Sequence, residues 1–367
     1  MKRIITSLVI IIGSLIGNAL FAQTTYYISA NGNDASNGTS ANSAWKTIEK
    51  VNKTKFKTGD NILFNRGDVF KGQLKIASSS GLVYGAYGNG AKPVFTGKKR
   101  VAGKWVNTGN NVWRIALGNK KAEITSLFKN DSPLPISRYP DKNQNNGYLN
   151  FETHKGTTSI TDKQLGGSMN FTGMDIIIRC EKWRLVKSKV TTQNGNTLTF
   201  KANTGIKQLY DNFGYFFVND KRLINRDGEW AYEKSGNLYF KSSADPNNLD
   251  IFFAGADTLL SIKNATNVRV KDIELRFAGK LGLQMKNSSG IVIDGVVIKG
   301  SGGDGMTFNN TNNTTIQNST ITNTHWSGIR SDIKSNNNIF TGNTIRNIGN
   351  ECYAKEKVFI GLDCNSS

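Results

Sequence analysis

Apolar residues recur with a period of 23 along the second half of this chain. Cutting residues 259–350 before Gly282, Gly305 and Gly328 aligns four units: LLSIKNATNVRVKDIELRFAGKL, GLQMKNSSGIVIDGVVIKGSGGD, GMTFNNTNNTTIQNSTITNTHWS and GIRSDIKSNNNIFTGNTIRNIGN. Three columns stay apolar: Leu260/Leu283/Met306/Ile329, Val270/Ile293/Ile316/Phe340 and Leu275/Ile298/Ile321/Ile345, the last unit being one residue longer in its middle. Each unit holds short alternating runs such as VRVKDIEL, separated by Asn, Ser and Gly. That pattern predicts strands and turns with little room for helix. A unit this short cannot bury its own apolar face, so it must stack on its neighbours. The prediction is a coil of parallel strands that advances about 4.8 Å per turn. A leucine-rich repeat is the competing solenoid, but its Leu-x-x-Leu-x-Leu spacing and helical half are missing. Asn309, Asn310, Asn312 and Asn313 read as turn residues whose side chains bond backbone groups in tight bends.

Residues 23–104 read as the entry to the same coil. A strand and an Asn/Gly/Asp turn cluster come first, then a short amphipathic piece from Trp45 to Val51. An open solenoid end exposes core and strand edges, so this piece is expected to lid the first rung. Between 105 and 254 the rhythm vanishes, and alternating runs such as VWRIAL, DIIIRCEKWRLVKSKV and GYFFVNDKRLI are joined by Asn-Gly, Ser-Gly-Asn and Pro signals. These predict an inserted antiparallel β domain. Repeats then occupy 255–350, and 351–367 form an irregular tail.

The start changes the setting. Lys2 and Arg3 precede the apolar run Ile4 to Ile16, followed by small Ala19 and Ala22. That is the order of a secretory signal peptide over 1–22, cleaved near Ala22; the run is too short to span a bilayer. The chain is therefore expected to be secreted, periplasmic or at the cell surface. Of its 367 residues, 47 are Lys or Arg against 27 Asp or Glu, and loss of 1–22 leaves a net charge of +18. The excess is spread over both the entry region and the insert, so no single nucleic-acid patch stands out; a polysaccharide, including an acidic one, is the expected partner. No nucleic acid, no membrane span and a monomer are expected. Three cysteines, Cys180, Cys352 and Cys364, allow one bridge in an oxidising compartment, Cys352 with Cys364 being the nearer pair. Two histidines and scattered cysteines speak against a His/Cys metal centre. Asn31, Asn33, Asp34 and Asn37 suit a self-capped turn better than a calcium site, and no cofactor is expected.

The segments YYISANGNDASNGT…AWKTI and GDNILFNRGDVFKGQL resemble the N-terminal region of secreted bacterial right-handed parallel β-helix proteins of the pectin-lyase-like superfamily. LFKNDSPLPISRYP and GYFFVNDKRLINRDGEWAYEKSGNLYF resemble the β insertion of carbohydrate-active members, including some β-xylosidase-like and α-galactosidase-like glycoside hydrolases. The resemblance implies an all-β fold, a right-handed parallel β-helix (β-solenoid) with an inserted antiparallel β domain. It says less about reaction, because the superfamily spans lyases, hydrolases, esterases, epimerases and proteins without activity. Such proteins usually continue for more rungs, so this chain reads as truncated at its C-terminus, or as covered there by an improvised tail.

Hydrolysis of a glycosidic bond needs two carboxyl groups, about 5–5.5 Å apart for retention or about 6.5–9.5 Å for inversion. The rungs offer Asp272, Glu274, Asp294, Asp304 and Asp332. Asp304, in the bend GSGGDGM, is the first catalytic candidate because its glycines permit close approach of a sugar; Asp332, near Arg330, is the second. His325 and Trp326 sit in the matching turn one repeat later, where an indole could stack on a sugar and an imidazole relay a proton. Arg276 and Lys299 lie one repeat apart on a predicted outward column that Arg346 continues after Thr322. Such a column would suit β-elimination on a uronate, one cation neutralising the carboxylate and a basic side chain taking the proton. Substrate binding is thus expected at His325, Trp326, Arg330, Arg276 and Lys299. Three functions stay open: a glycoside hydrolase-like polysaccharide-degrading enzyme, which the insert favours; a polysaccharide lyase, which the basic column favours; and a non-catalytic binding or surface protein, or inactive fragment, which the early stop favours.

Overall fold

A computed structural model describes residues 23–118, 124–167, 169–182, 184–332 and 334–349, together with the backbone of two short strands, Glu356–Val358 and Leu362–Cys364. The expected signal peptide and Cys352 lie outside these residues. So do the side chain of Cys364 and hence the bridge between the two.

The 23-residue unit closes one turn with three strands, and the turns stack into three parallel faces. The first face is a seven-stranded sheet running from Thr25–Ile28 to Ile339–Thr341. Its in-register core column is Ile62, Tyr84, Val270, Ile293, Ile316 and Phe340. The second face stacks Phe70, Phe95, Leu275, Ile298, Ile321 and Ile345. The third stacks Leu74, Leu260, Leu283, Met306 and Ile329. Side chains alternate across each strand, so one row points inward and its neighbours outward. The inward rows make one continuous core in which Leu283, Ile293 and Met306 are fully buried. Gly282, Gly305 and Gly328 are in step on consecutive rungs: Leu283 N–H donates to Gly305 O, and Met306 N–H to Gly328 O. Glycine is required there because a Cβ on Gly305 would lie 2.4 Å from Ile321 Cγ2 and 2.6 Å from Gly328 O.

At the entry end the Thr47 side chain accepts from Lys50 N–H and caps the helix Ile48–Lys53. Its Ile48 and Val51 join Trp45 in the central core. Asp34 is spent on this junction: Oδ1 accepts from Lys46 and Thr47 N–H at 2.7 and 3.0 Å, and Oδ2 from the Thr47 hydroxyl. Its carboxyl therefore titrates below the usual range, although burial pulls it the other way.

The insert leaves the third rung after the second-face strand Val94–Thr96 and returns at Ala256–Lys263, which opens that rung's third face. Exit and return meet where Gly255 N–H donates to Gly97 O at 2.7 Å. The insert holds antiparallel sheets over two apolar clusters, one around Ile176, Phe217 and buried Cys180, the other around Trp230 and Phe240. A third, small cluster fastens it to the coil: Phe128 stacks on Phe252 at 5.1 Å and meets Phe277 at 4.7 Å. The backbone of Glu356–Val358 pairs antiparallel with Arg184–Val186 of the insert before Leu362–Cys364 joins the third face.

Candidate functional site

The corner between the second and third faces is where the insert is rooted, and later rungs carry the same corner beneath it. Its backbone repeats a left-handed residue on each turn: Phe277 (φ 63°), Gly300 (φ 76°), Asn323 (φ 56°) and Asn347 (φ 53°). Asn and Gly tolerate this conformation, whereas a bulky residue is strained by it. Phe277 occupies it with its ring packed against the stacked pair Phe128 and Phe252. Two rungs on, where the aromatic anchor ends, the corner and the insert separate around a cavity of about 300 Å³. Phe128, Pro133, Leu134, Pro135 and Lys142 line it from the insert, and Asn323, His325 and Asn347 from the coil. The apolar wall faces an amide, imidazole and ammonium rim, the composition of a small polar-ligand site.

Of the seven residues singled out from sequence, His325 lines this cavity. It takes the place that Gly302 holds one rung earlier, its N–H donating to Ser301 O at 2.9 Å. The residue is 6% exposed. Burial, assisted by the charge of Lys142, pushes its pKa down to about 3. The ring is therefore neutral near pH 7. An efficient proton relay has a pKa near the working pH; a neutral imidazole is better suited to hydrogen-bonding a ligand. Trp326 lies half-buried over Gly303, whose added Cβ would come within 3.0 Å of the indole.

Asp304 is fully buried. Its Oδ1 accepts from Ser327 N–H at 3.1 Å, and its Oδ2 is bound by Arg330 Nε at 2.9 Å and Nη2 at 2.8 Å. This carboxylate ties two rungs of the corner together and holds the segment carrying His325 and Trp326. Asp332 sits at the far end of the third-face strand. Its Oδ1 accepts from Asn310 N–H at 3.1 Å and the Ser335 hydroxyl at 2.8 Å. Register carries position 332 to Asn309 on the rung of Asp304. Five residues of extended chain separate those two by about 16 Å. Asp304 and Asp332 thus stand well beyond the spacing at which two carboxyls share one glycosidic bond.

The basic column has the register expected of it: Arg276, Lys299, Thr322 and Arg346 align on consecutive strands of the second face. Arg276, however, is gripped by Glu274 through Nε at 2.6 Å and Nη2 at 2.9 Å. That bidentate pair raises the Arg276 pKa further. The cavity itself was hidden in the sequence, because Lys142 and His325 are 183 positions apart and meet only through the folding-back of the insert.

Comparison with known proteins agrees with this architecture. The family described as "Right handed beta helix region" matches residues 258–366. A lacto-N-biosidase from Bifidobacterium longum subsp. longum is 32% identical over 269 residues, a match covering 69% of this chain and 14% of that protein. The chain thus spans a small part of the curated relative it matches. A solved structure titled "Glycoside hydrolase" superposes with a TM-score of 0.67 at 11% identity, over 84% of this chain and 67% of the other. The XylC complex with xylose superposes with a TM-score of 0.53 at 16% identity, over 92% of this chain and 56% of the other. At such identities the two structures speak for the fold. The chain is a right-handed parallel β-helix protein with glycoside hydrolase-like relatives.

Proposed function

From a β-helix whose relatives include a lacto-N-biosidase, we propose that this chain is an extracellular glycoside hydrolase-like protein that binds and degrades polysaccharide. The observation that carries the reading is the cavity of about 300 Å³ between the insert and the second-to-third-face corner, with Pro133, Leu134 and Pro135 opposite Asn323, His325 and Asn347. Apolar C–H surfaces of a sugar suit the first wall, and sugar hydroxyls suit the amides and neutral imidazole of the second. Asp304 and Arg330 serve as positioning residues that hold the His325 segment.

The test is titration of the full chain with oligosaccharides, read by calorimetry, alongside a reducing-end assay. The reading expects saturable binding that weakens about tenfold, ~1.4 kcal/mol, when Lys142→Ala or Asn347→Ala strips one polar contact from the rim. Binding unaffected by both substitutions would remove the cavity from the account. A lyase is the second reading, favoured by the aligned Arg276 and Lys299. It requires the ultraviolet absorbance of an unsaturated uronate to appear with the product and to vanish in Lys299→Ala.

A further inference from the structure

The insert contains a second cavity, of about 280 Å³, away from the corner. Its construction begins with Gly214. Across the insert's largest sheet, Asn150 pairs with Gly214 on one side, and Arg179 follows the Ile178–Tyr215 pair on the other. A side chain at position 214 would fill the space between them: its Cβ would lie 2.6 Å from Tyr148 Cδ1. With glycine there, the Tyr148 ring lies over the strand, and the Arg179 guanidinium stacks on that ring at 4.6 Å. Phe213 forms an opposing wall, backed by the Tyr210 ring at 5.2 Å. Asn145, Asn146, Asn150 and Asn212 supply amides, and Lys182 a second cation.

Several features point to one ligand chemistry. Arg179 and Lys182 make no ion pair among the described residues, whereas the nearby acids are engaged elsewhere: Glu181 by Arg184 at 2.8 Å and Asp211 by His154 at 2.6 Å. The lining therefore carries two uncompensated cations and no carboxylate. A guanidinium placed over an aromatic ring still has N–H donors to offer a planar anion. Aromatic walls with amides around them fit the ring and hydroxyls of a sugar. The volume is at the small end of ligand sites, about 300–1,000 Å³, which suits one sugar unit and not a polymer segment.

We propose that this cavity is a binding site for a single carboxylate-bearing sugar, a uronic acid residue, with Arg179, held over Tyr148, pairing its carboxylate and Phe213 packing against its ring. The site is separate from the corner cavity and does not depend on the function assigned there. It gives the basic insert a specific use: recognition of an acidic glycan unit.

The experiment titrates the full chain with galacturonic acid and, as neutral control, galactose. The proposal expects the acid to bind at least tenfold more tightly than galactose. It expects that preference to be lost in Arg179→Gln, only partly retained in Arg179→Lys, whose ammonium cannot reproduce a bidentate contact, and reduced by added salt. Thermal midpoints of both variants, compared with the parent chain, show whether the fold survives; Lys182→Gln, at an exposed position, provides a second reading that should lower affinity for the acid alone. Equal affinity for the two sugars, no binding of either, or an acid preference unchanged in a folded Arg179→Gln protein would each overturn the proposal. Lys142→Ala, measured in parallel, should leave galacturonate binding intact, which separates this site from the corner cavity.

Discussion

His325 shows how strongly one position can be governed by its surroundings. Its folded-state pKa of about 3 lies below the ordinary 6.5 of an unfolded histidine, so the unfolded chain binds more protons between those values. The stability tied to this residue is therefore complete above about pH 6.5 and drains away as the pH falls toward 3. Chemical denaturation of the parent chain and His325→Gln across this window should show the steeper acid loss in the parent, and parallel curves would contradict the assignment. The Asp304–Arg330 pair yields a second expectation. Arg330→Ala leaves a fully buried carboxylate with Ser327 N–H and without its cation, and should cost about 2–3 kcal/mol in a denaturant titration. Arg330→Lys should recover only part of this, because an ammonium cannot reproduce the two guanidinium contacts.

Each rung is built from the same three strands, and its corners are fixed by small, repeated devices. Asn264, Asn287 and Asn310 share a left-handed backbone and form a ladder in which Asn310 Nδ2 donates to Asn287 Oδ1 and Asn287 Nδ2 to Asn264 Oδ1. Asn287→Ala would break both bonds and place a Cβ-bearing residue without a local partner in that conformation, a loss of about 1–2 kcal/mol that a thermal melt should register. Gly305→Ala should cost about 1–3 kcal/mol, since Ile321 and the Gly328 carbonyl leave its new methyl no space. These rules were legible in the sequence because each rung repeats them: the spacing of Gly282, Gly305 and Gly328 and the apolar columns at Leu283, Ile293 and Ile298 already describe the stack. The corner turn at Phe277, Gly300, Asn323 and Asn347 was not legible as a column. One member is aromatic and one is glycine, so only the shared backbone conformation unites them.

The whole molecule places its sites through a single choice, the rung and corner at which the coil is interrupted. Because the insert departs between the second and third faces of the third rung, it overhangs that corner of the rungs that follow. A sequence pattern shows that a rhythm stops and resumes, but not which corner of the coil lies beneath the excursion. Asp304 was legible as a carboxylate in a glycine-rich bend, and Arg330 as a cation near Asp332. Their mutual ion pair was not, since it joins residues 26 apart, one repeat plus three. The meeting of Lys142 with His325 depends on the packing of Phe128, Phe252 and Phe277, so weakening that anchor should act at a distance. Phe252→Ala should lower glycan affinity at the corner cavity at least several-fold while leaving galacturonate binding in the insert unchanged.

The most direct measurement is a crystal structure of the full chain with the oligosaccharide it binds best. A sugar seated between Pro133–Pro135 and the Asn323, His325 and Asn347 rim, with Lys142 within hydrogen-bond distance, is the predicted result. A sugar bound only along the half-buried Arg276–Lys299 column, with the corner cavity left to solvent, would contradict it.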